Sequence, residues 1–320
     1  MNVLVSLIIP VYNESQTIAG LLRTIDEQTF QPAEIILVDG GSTDGTVSAI
    51  KQLTIDKPAY SVIEAGRAMP GKGRNIGASA ATHSWIAFTD AGIELDKYWL
   101  ENLVKKKLET PEATLIYGNF SPQLNTFFDK CASISYVPPL RPGKIRTKSI
   151  ASCLLKKEVW KKVGGFPDWR AAEDLIFMEN ADKIAIVTEA PDAFMYWQLR
   201  PTTRSTFKKF TLYSMYNVWA GRQANWHYGV AKHYGLLFIF LLLGIFHSWI
   251  WWILIPAWLC ARVMKRIYLH RYEFGIKSIF NPAIFFTVLL LTVVIDAATF
   301  WGWIKAVVNK SDSGNFSTIQ

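Results

Sequence analysis

Apolar residues come in short blocks over the first two-thirds of the chain and in long runs over the last third. That contrast predicts two kinds of architecture. Residues 6–10, 34–38, 60–64 and 85–88 are apolar blocks bounded by turn-forming residues, as buried strands require. Between them, Ile18, Leu21, Leu22 and Ile25, and then Val47 and Ile50, fall at helical spacing, with Ser15 placed to cap the first helix. Residues 71–75 open a third helix. This β-α-β-α-β-α-β alternation predicts an α/β fold with a mostly parallel sheet covered by helices on both faces.

The pattern continues with a helix over 97–107, a strand over 113–118 and a strand over 150–155. A helix from Glu158 follows, then one opened by Glu173 and Asp174, with strand candidates at 184–187 and 194–197. Residues 121–148 hold Pro138, Pro139 and the basic run Arg141, Lys144, Arg146 and Lys148, which reads as a loop carrying one short helix. Past Arg204, Phe207, Phe210, Tyr213, Val218 and Trp219 with Lys208, Lys209 and Arg222 among them predict an amphipathic helix at a membrane interface. Residues 234–261 and 278–295 carry no charge. A membrane span needs about 20 apolar residues, so each run is long enough to enter a bilayer. The expected division is 1–203 as the catalytic domain, 204–233 as interfacial helices, 234–310 as membrane-embedded helices with a basic linker at 262–277, and 311–320 as a disordered tail.

Charge sharpens this division. Residues 1–199 hold 21 Lys/Arg against 23 Asp/Glu, while 200–277 hold eleven Lys/Arg and the single acid Glu273. The net charge of +8 therefore lies beside the apolar runs, together with eight of the 13 Trp, between Trp219 and Trp303. A membrane surface accounts for both features; nucleic acid would account only for the charge. A cytoplasmic basic linker requires 234–261 to enter and return, with His247 and Ser248 at the turn. One long tilted span is the alternative. Asp296 is costly in lipid and is expected to face protein or the interface. His227 and His233 read as polar anchors rather than metal ligands. Cys131, Cys153 and Cys260 have no metal or disulfide spacing. The apolar start at 3–11 is short and lacks a basic leader, so it reads as a strand rather than a signal peptide.

The candidate chemistry sits where strands should end: Asn13-Glu14, Asp39, Gly71-Lys-Gly-Arg-Asn75 and Asp90. In a parallel sheet such loops share one edge and converge on one crevice. Glycines let backbone approach a phosphate, and cations offset its charge. Asp90 is followed only by Ala91 and Gly92, so nothing bulky shields it. An Asp that merely starts a turn is the plainer alternative.

Ser6-Leu-Ile-Ile-Pro-Val-Tyr-Asn-Glu14, Leu37-Val-Asp-Gly-Gly-Ser-Thr-Asp-Gly-Thr46, Gly71-Lys-Gly-Arg-Asn-Ile-Gly77, Phe88-Thr-Asp-Ala-Gly92 and Gly164-Gly-Phe166 with Glu173-Asp174 resemble the inverting family 2 glycosyltransferases. The resemblance covers roughly residues 3–200. It implies a GT-A fold, a nucleotide-sugar donor and a divalent cation, Mg²⁺ or Mn²⁺. Pro10, Tyr12 and Glu14 would line the nucleoside pocket, Asp39 would contact base or ribose, and Lys72, Arg74 and Asn75 would lie near ribose and diphosphate. Asp90 matches the first acid of the DXD motif and is the metal-ligand candidate. The second Asp is replaced by Gly92, which leaves Glu94 or Asp96 as acids that could reach in. Asp174 matches the general base, with Glu173 beside it. Arg200 and Arg204 are candidates for diphosphate or acceptor contact.

Together these features predict an integral protein of a bacterial cell membrane. Its catalytic domain would be cytoplasmic and its acceptor lipid-linked or membrane-bound. A polyprenyl-phosphate sugar synthase and a non-catalytic nucleotide-sugar-binding subunit are the alternatives.

Overall fold

The structure is a computed structural model and describes residues 3–309; the tail expected over 311–320 lies outside them. The described residues form two compact units, one built from 3–123 and 141–198, the other from 124–140 and 199–309. Residues 124–140, grouped by the hydropathy pattern with 1–203, thus pack with the C-terminal helices.

The first unit holds one eight-stranded sheet. Its strands are β1 (Val5–Val11), β2 (Glu34–Asp39), β3 (Tyr60–Glu64), β4 (Trp85–Phe88), β5 (Ile93–Leu95), β6 (Leu115–Gln123), β7 (Cys153–Lys156) and β8 (Val187–Gln198). The helices of this unit and the one inserted in its sequence are α1 (Ile18–Asp26), α2 (Thr46–Leu53), α3 (Pro70–Ala80), α4 (Trp99–Glu109), α5 (Phe127–Tyr136), α6 (Lys157–Val163) and α7 (Glu173–Ala181). The strand order is β3-β2-β1-β4-β7-β6-β8-β5.

Of the seven pairings four are parallel, and β3, β2, β1 and β4 form an all-parallel half in which Val11 pairs with Asp39 and Ile8 with Phe88. That register puts the loops after β1, β2 and β4 on one edge. The other half is mixed, with β7 antiparallel to both neighbours. The candidate at 194–197 lies within β8, whereas the candidate at 184–187 is a turn over 184–186 and joins β8 only at Val187; β8 is one strand that bulges against β6 between Tyr117 and Asn119. There the Asn119 amide donates to the Pro191 carbonyl at 2.9 Å and satisfies backbone that the bulge leaves unpaired. Ile8, Val38, Ile86, Phe88, Leu155 and Phe177 are buried between sheet and helices.

The second unit joins α5 to α8 (Thr203–Trp219), α9 (Gln223–Trp226), α10 (Tyr228–Phe246), α11 (Leu254–Leu269), α12 (Arg271–Phe274) and α13 (Pro282–Val308). Both α10 and α13 are long and apolar enough to cross a membrane. The chain reverses after α10 at His247 and Ser248. Trp252 then packs back on Gly244 and donates its indole N–H to the Leu241 carbonyl at 3.3 Å. Asp296 is buried and paired: Arg262 reaches it at 2.5 Å and the Tyr234 hydroxyl at 3.2 Å. His227 bonds Ser214 at 2.8 Å.

Candidate active site

Two loops at the parallel edge are knitted into one surface. Asn13 N–H donates to Ser42 Oγ (2.8 Å), Glu14 N–H to Thr46 Oγ1 (2.8 Å), and Thr43 N–H to Asn13 Oδ1 (2.9 Å). Asn13 takes a positive φ of 55° to make this exchange, a conformation that a short polar side chain tolerates better than most. Asp39 lies beneath the second loop and is 3% exposed. Its carboxylate accepts from the N–H groups of Gly41 (2.9 Å) and Ser42 (3.1 Å). These bonds fix the loop and leave Tyr12 about half exposed beside it.

The second half of the site is built around Arg74, in the first half of α3 and 3% exposed. One terminal nitrogen donates to Asp90 Oδ1 at 2.5 Å, the other to Glu173 Oε1 at 2.8 Å. Its guanidinium also lies 5.6 Å from the centre of the Phe166 ring, which stacks on Phe177 at 4.0 Å. Burial alone would make Arg74 easier to deprotonate, but Asp90, Glu173 and Asp174 together hold it firmly charged. Burial pushes the Glu173 carboxyl up to about 7, against the pull of Arg74, and raises Asp174 as well. One cation thus faces three carboxylates, with Glu173 Oε2 and Arg74 Nε buried and without hydrogen-bond partners.

Close packing brings these pieces together. A Cβ on Gly71 would stand 1.9 Å from the Pro167 carbonyl oxygen, so only glycine lets α3 meet the Gly164-Gly-Phe-Pro167 loop. Asn75 closes the same contact. Its amide donates to the Phe166 carbonyl (2.7 Å) and accepts from Phe166 N–H (2.8 Å) and the Trp160 indole (3.0 Å). Asn75, expected near ribose and diphosphate, holds this loop through these hydrogen bonds. Ala172, just before α7, has φ +67°. Nothing in the sequence signals it, because alanine ordinarily favours right-handed helix.

Residues 6–156 match the profile of the family described as glycosyl transferase family 2. A stretch of 104 residues is 32% identical to the uncharacterized glycosyltransferase YibD of Escherichia coli, covering 32% of this chain and 30% of that protein. The chain carries a glycosyl transferase family 2 domain. The mannosyltransferase PcManGT of Pyrobaculum calidifontis, solved with GDP-Man and Mn²⁺, superposes with a TM-score of 0.58 at 19% identity, covering 96% of this chain and 87% of that one. TarS of S. aureus, solved with UDP-GlcNAc, gives 0.53 at 17% identity over 91% and 90%. These two likenesses are of fold, and the fold is that of GT-A glycosyltransferases.

Gly92, where the resemblance expects the second acid after Asp90, has φ +78°, and a Cβ there would lie 3.5 Å from Glu14 Oε2. An aspartate would be strained and would bring a second carboxylate against Glu14. Among the described residues no three His, Cys, Asp or Glu side chains stand together as a metal site. The side chain of Asp90 is 38% exposed, with Oδ1 engaged by Arg74. A divalent ion fits here when the diphosphate brings most of its oxygen ligands, the mode in which Mg²⁺ uses one or two carboxylates and keeps several waters. Lys72 is exposed in the first turn of α3, and Glu94 and Asp96 lie in and just after β5. Arg200 and Arg204 belong to the second unit, where Arg200 N–H donates to the Tyr136 hydroxyl at 3.2 Å.

Proposed function

We propose that this protein moves a sugar from a nucleoside-diphosphate donor to a hydroxyl of a lipid-linked or membrane-bound acceptor, with inversion at the anomeric carbon. The observation that carries the reading is the buried Arg74 bridge between Asp90, at the end of a parallel strand, and Glu173, which opens the helix bearing Asp174. It supports a site in which a diphosphate end and a base end are held a few ångströms apart. The nucleotide sugars held by the two structural neighbours support the donor class.

In this reading Asp39 and the Asn13–Thr46 loop surface receive the nucleoside, and Lys72 offsets diphosphate charge. A Mg²⁺ or Mn²⁺ ion held by Asp90 and the diphosphate would neutralise the departing charge. Asp174, half-buried, takes the acceptor hydroxyl's proton as the oxygen attacks. Attack from the face opposite the diphosphate inverts the anomer. The raised Asp174 carboxyl suits this task, because a base nearer neutrality drives proton transfer better.

The membrane part of the reading rests on α10, α13 and the basic residues around them. Exposed Phe246, Trp249, Ile250 and Ile253 lie at the α10 reversal, and Phe238 is exposed along α10, an apolar surface that lipid would cover. In the same reading residues 204–233 lie at the interface, and the catalytic domain is cytoplasmic.

The first test is thermal stabilisation of the purified protein by UDP-, GDP- and dTDP-sugars with and without Mn²⁺. One nucleotide class is expected to stabilise only with metal. Asp174→Asn is expected to lower turnover about 10²–10⁴-fold with that stabilisation unchanged. Retained turnover would favour a phosphate acceptor, which needs little base.

A further inference from the structure

We propose that Arg74 is the positioning residue of this site, a buried strut that sets the Asp90 carboxylate and the start of α7 in one geometry. The inference deepens the glycosyltransfer reading and rests on it. The two acids that Arg74 joins lie 16 and 99 residues away in sequence and on separate elements, the end of β4 and the first turn of α7. Nothing else on the guanidinium is free to move it: Phe166 faces it, and Phe88 packs edge-on against Phe166 at 5.3 Å.

Both terminal nitrogens of Arg74 are committed to carboxylates. The side chain is only 4% exposed, so its part is to aim acids rather than to reach out for phosphate. Asp90 is held through Oδ1, and its side chain is still 38% exposed. Glu173 is 5% exposed, and its methylene stands 3.1 Å from the Cβ position of Gly71. It is thus the anchor of the strut, and Asp174 is the acid left for proton transfer. A planar guanidinium spans two carboxylates in a way that the single ammonium of lysine does not. The left-handed Ala172 immediately before Glu173 fits a helix start pulled into place by this bond. The charged groups in the cluster are Arg74 from α3, Asp90 after β4, and Glu173 and Asp174 from α7.

The test is a double-mutant cycle of Arg74→Lys and Glu173→Gln. It is read as metal-dependent release of nucleoside diphosphate from whichever UDP-, GDP- or dTDP-sugar stabilises the wild-type protein most. Misplacing reacting groups by about 1 Å costs on the order of 100-fold. Arg74→Lys is therefore expected to lower kcat about 100-fold with KM for the nucleotide sugar within about threefold. Glu173→Gln keeps an acceptor for Arg74 but removes the charge that anchors it, so kcat should fall while KM for the nucleotide sugar stays within about threefold. The double variant should lose little more than Arg74→Lys alone, because the two act as one unit.

Additive losses, or a loss confined to KM, would overturn the strut and make Arg74 a direct phosphate ligand. If Arg74→Lys fails to fold, Glu173→Gln decides by its split between kcat and KM, and an unchanged kcat or a loss confined to KM refutes the inference. Wild-type protein that neither binds nor cleaves any of these sugars refutes the glycosyltransfer reading and the strut with it. Additivity alongside normal wild-type turnover refutes the strut alone.

Discussion

Ala172 holds a backbone conformation that brings Cβ against the following carbonyl, at a cost of about 1–2 kcal/mol. Glycine would remove that clash and return part of the gain through its greater freedom when unfolded. Ala172→Gly is expected to stabilise the protein by about 1 kcal/mol, a rise in Tm of about 2–4 °C for a unit of this size. Thermal denaturation measures it, and a fall in Tm would mean that the methyl group contributes packing that outweighs the strain. Asn75 shows the other side of residue-scale reading. Its place after Gly71-Lys-Gly-Arg was legible, but its partners Trp160 and Phe166 are 85 and 91 residues away, and no linear spacing records such a bond. Asp90 could be read as a strand-end acid because a buried strand and a sharp turn frame it. That its first oxygen belongs to Arg74 could not.

At the scale of elements, the parallel half of the sheet was legible because each strand is followed by a helix at regular spacing. The single strand β8 was not, since Pro191 and Asp192 interrupt its pattern where the bulge lies. Helix α8 was legible as a helix with an aromatic face, but not for the face it packs inward: its buried residues are Thr206, Thr211, Ser214 and Asn217. Close helix packing selects small side chains whose backbones can approach, and Gly302 of α13 is the point of approach. A Cβ there would lie 2.4 Å from the Thr211 carbonyl oxygen and 2.5 Å from Ser214 Cβ. Gly302→Val is expected to destabilise the helical unit by about 1–3 kcal/mol, seen as a lower Tm in detergent. Gly235 of α10 has nothing within 4 Å of its Cβ position, so Gly235→Val is the matched control and should leave Tm nearly unchanged. Equal effects at both sites would show that helix propensity rather than the seam decides.

For the molecule as a whole, the consequential insertion is α5. Residues 124–140 lie in sequence inside the sheet-bearing stretch, but their packing partners come from beyond 199. The Tyr136 ring meets Phe210 edge-on at 5.2 Å, Arg266 donates to the Ser135 carbonyl, His270 Nε2 bonds the Val137 carbonyl at 3.0 Å, and Leu140 N–H donates to Glu273 at 2.9 Å. The composition shift at Arg204 suggests a clean place to cut the chain; the packing argues that it is not one. A fragment ending at 203 would keep α5 while losing every one of those partners. Cys131, Ala132 and Ile134, now buried, would meet water, and the Ser135 and Val137 carbonyls would lose the side chains that donate to them. Burial of one aliphatic side chain is worth about 1.5–3 kcal/mol, and a carbonyl left in an apolar patch without a partner about 1–3 kcal/mol more. The sum approaches the 5–15 kcal/mol that keeps an ordinary domain folded. The 1–203 fragment is therefore expected to aggregate without detergent and to melt well below the full chain. Removing 124–140 as well, with a short Gly/Ser bridge from 123 to 141, should recover a monodisperse sheet unit. Size-exclusion chromatography and melting curves of the two fragments distinguish the outcomes: a 1–203 fragment as monodisperse and stable as the bridged one would show that α5 needs nothing from the helices that follow it.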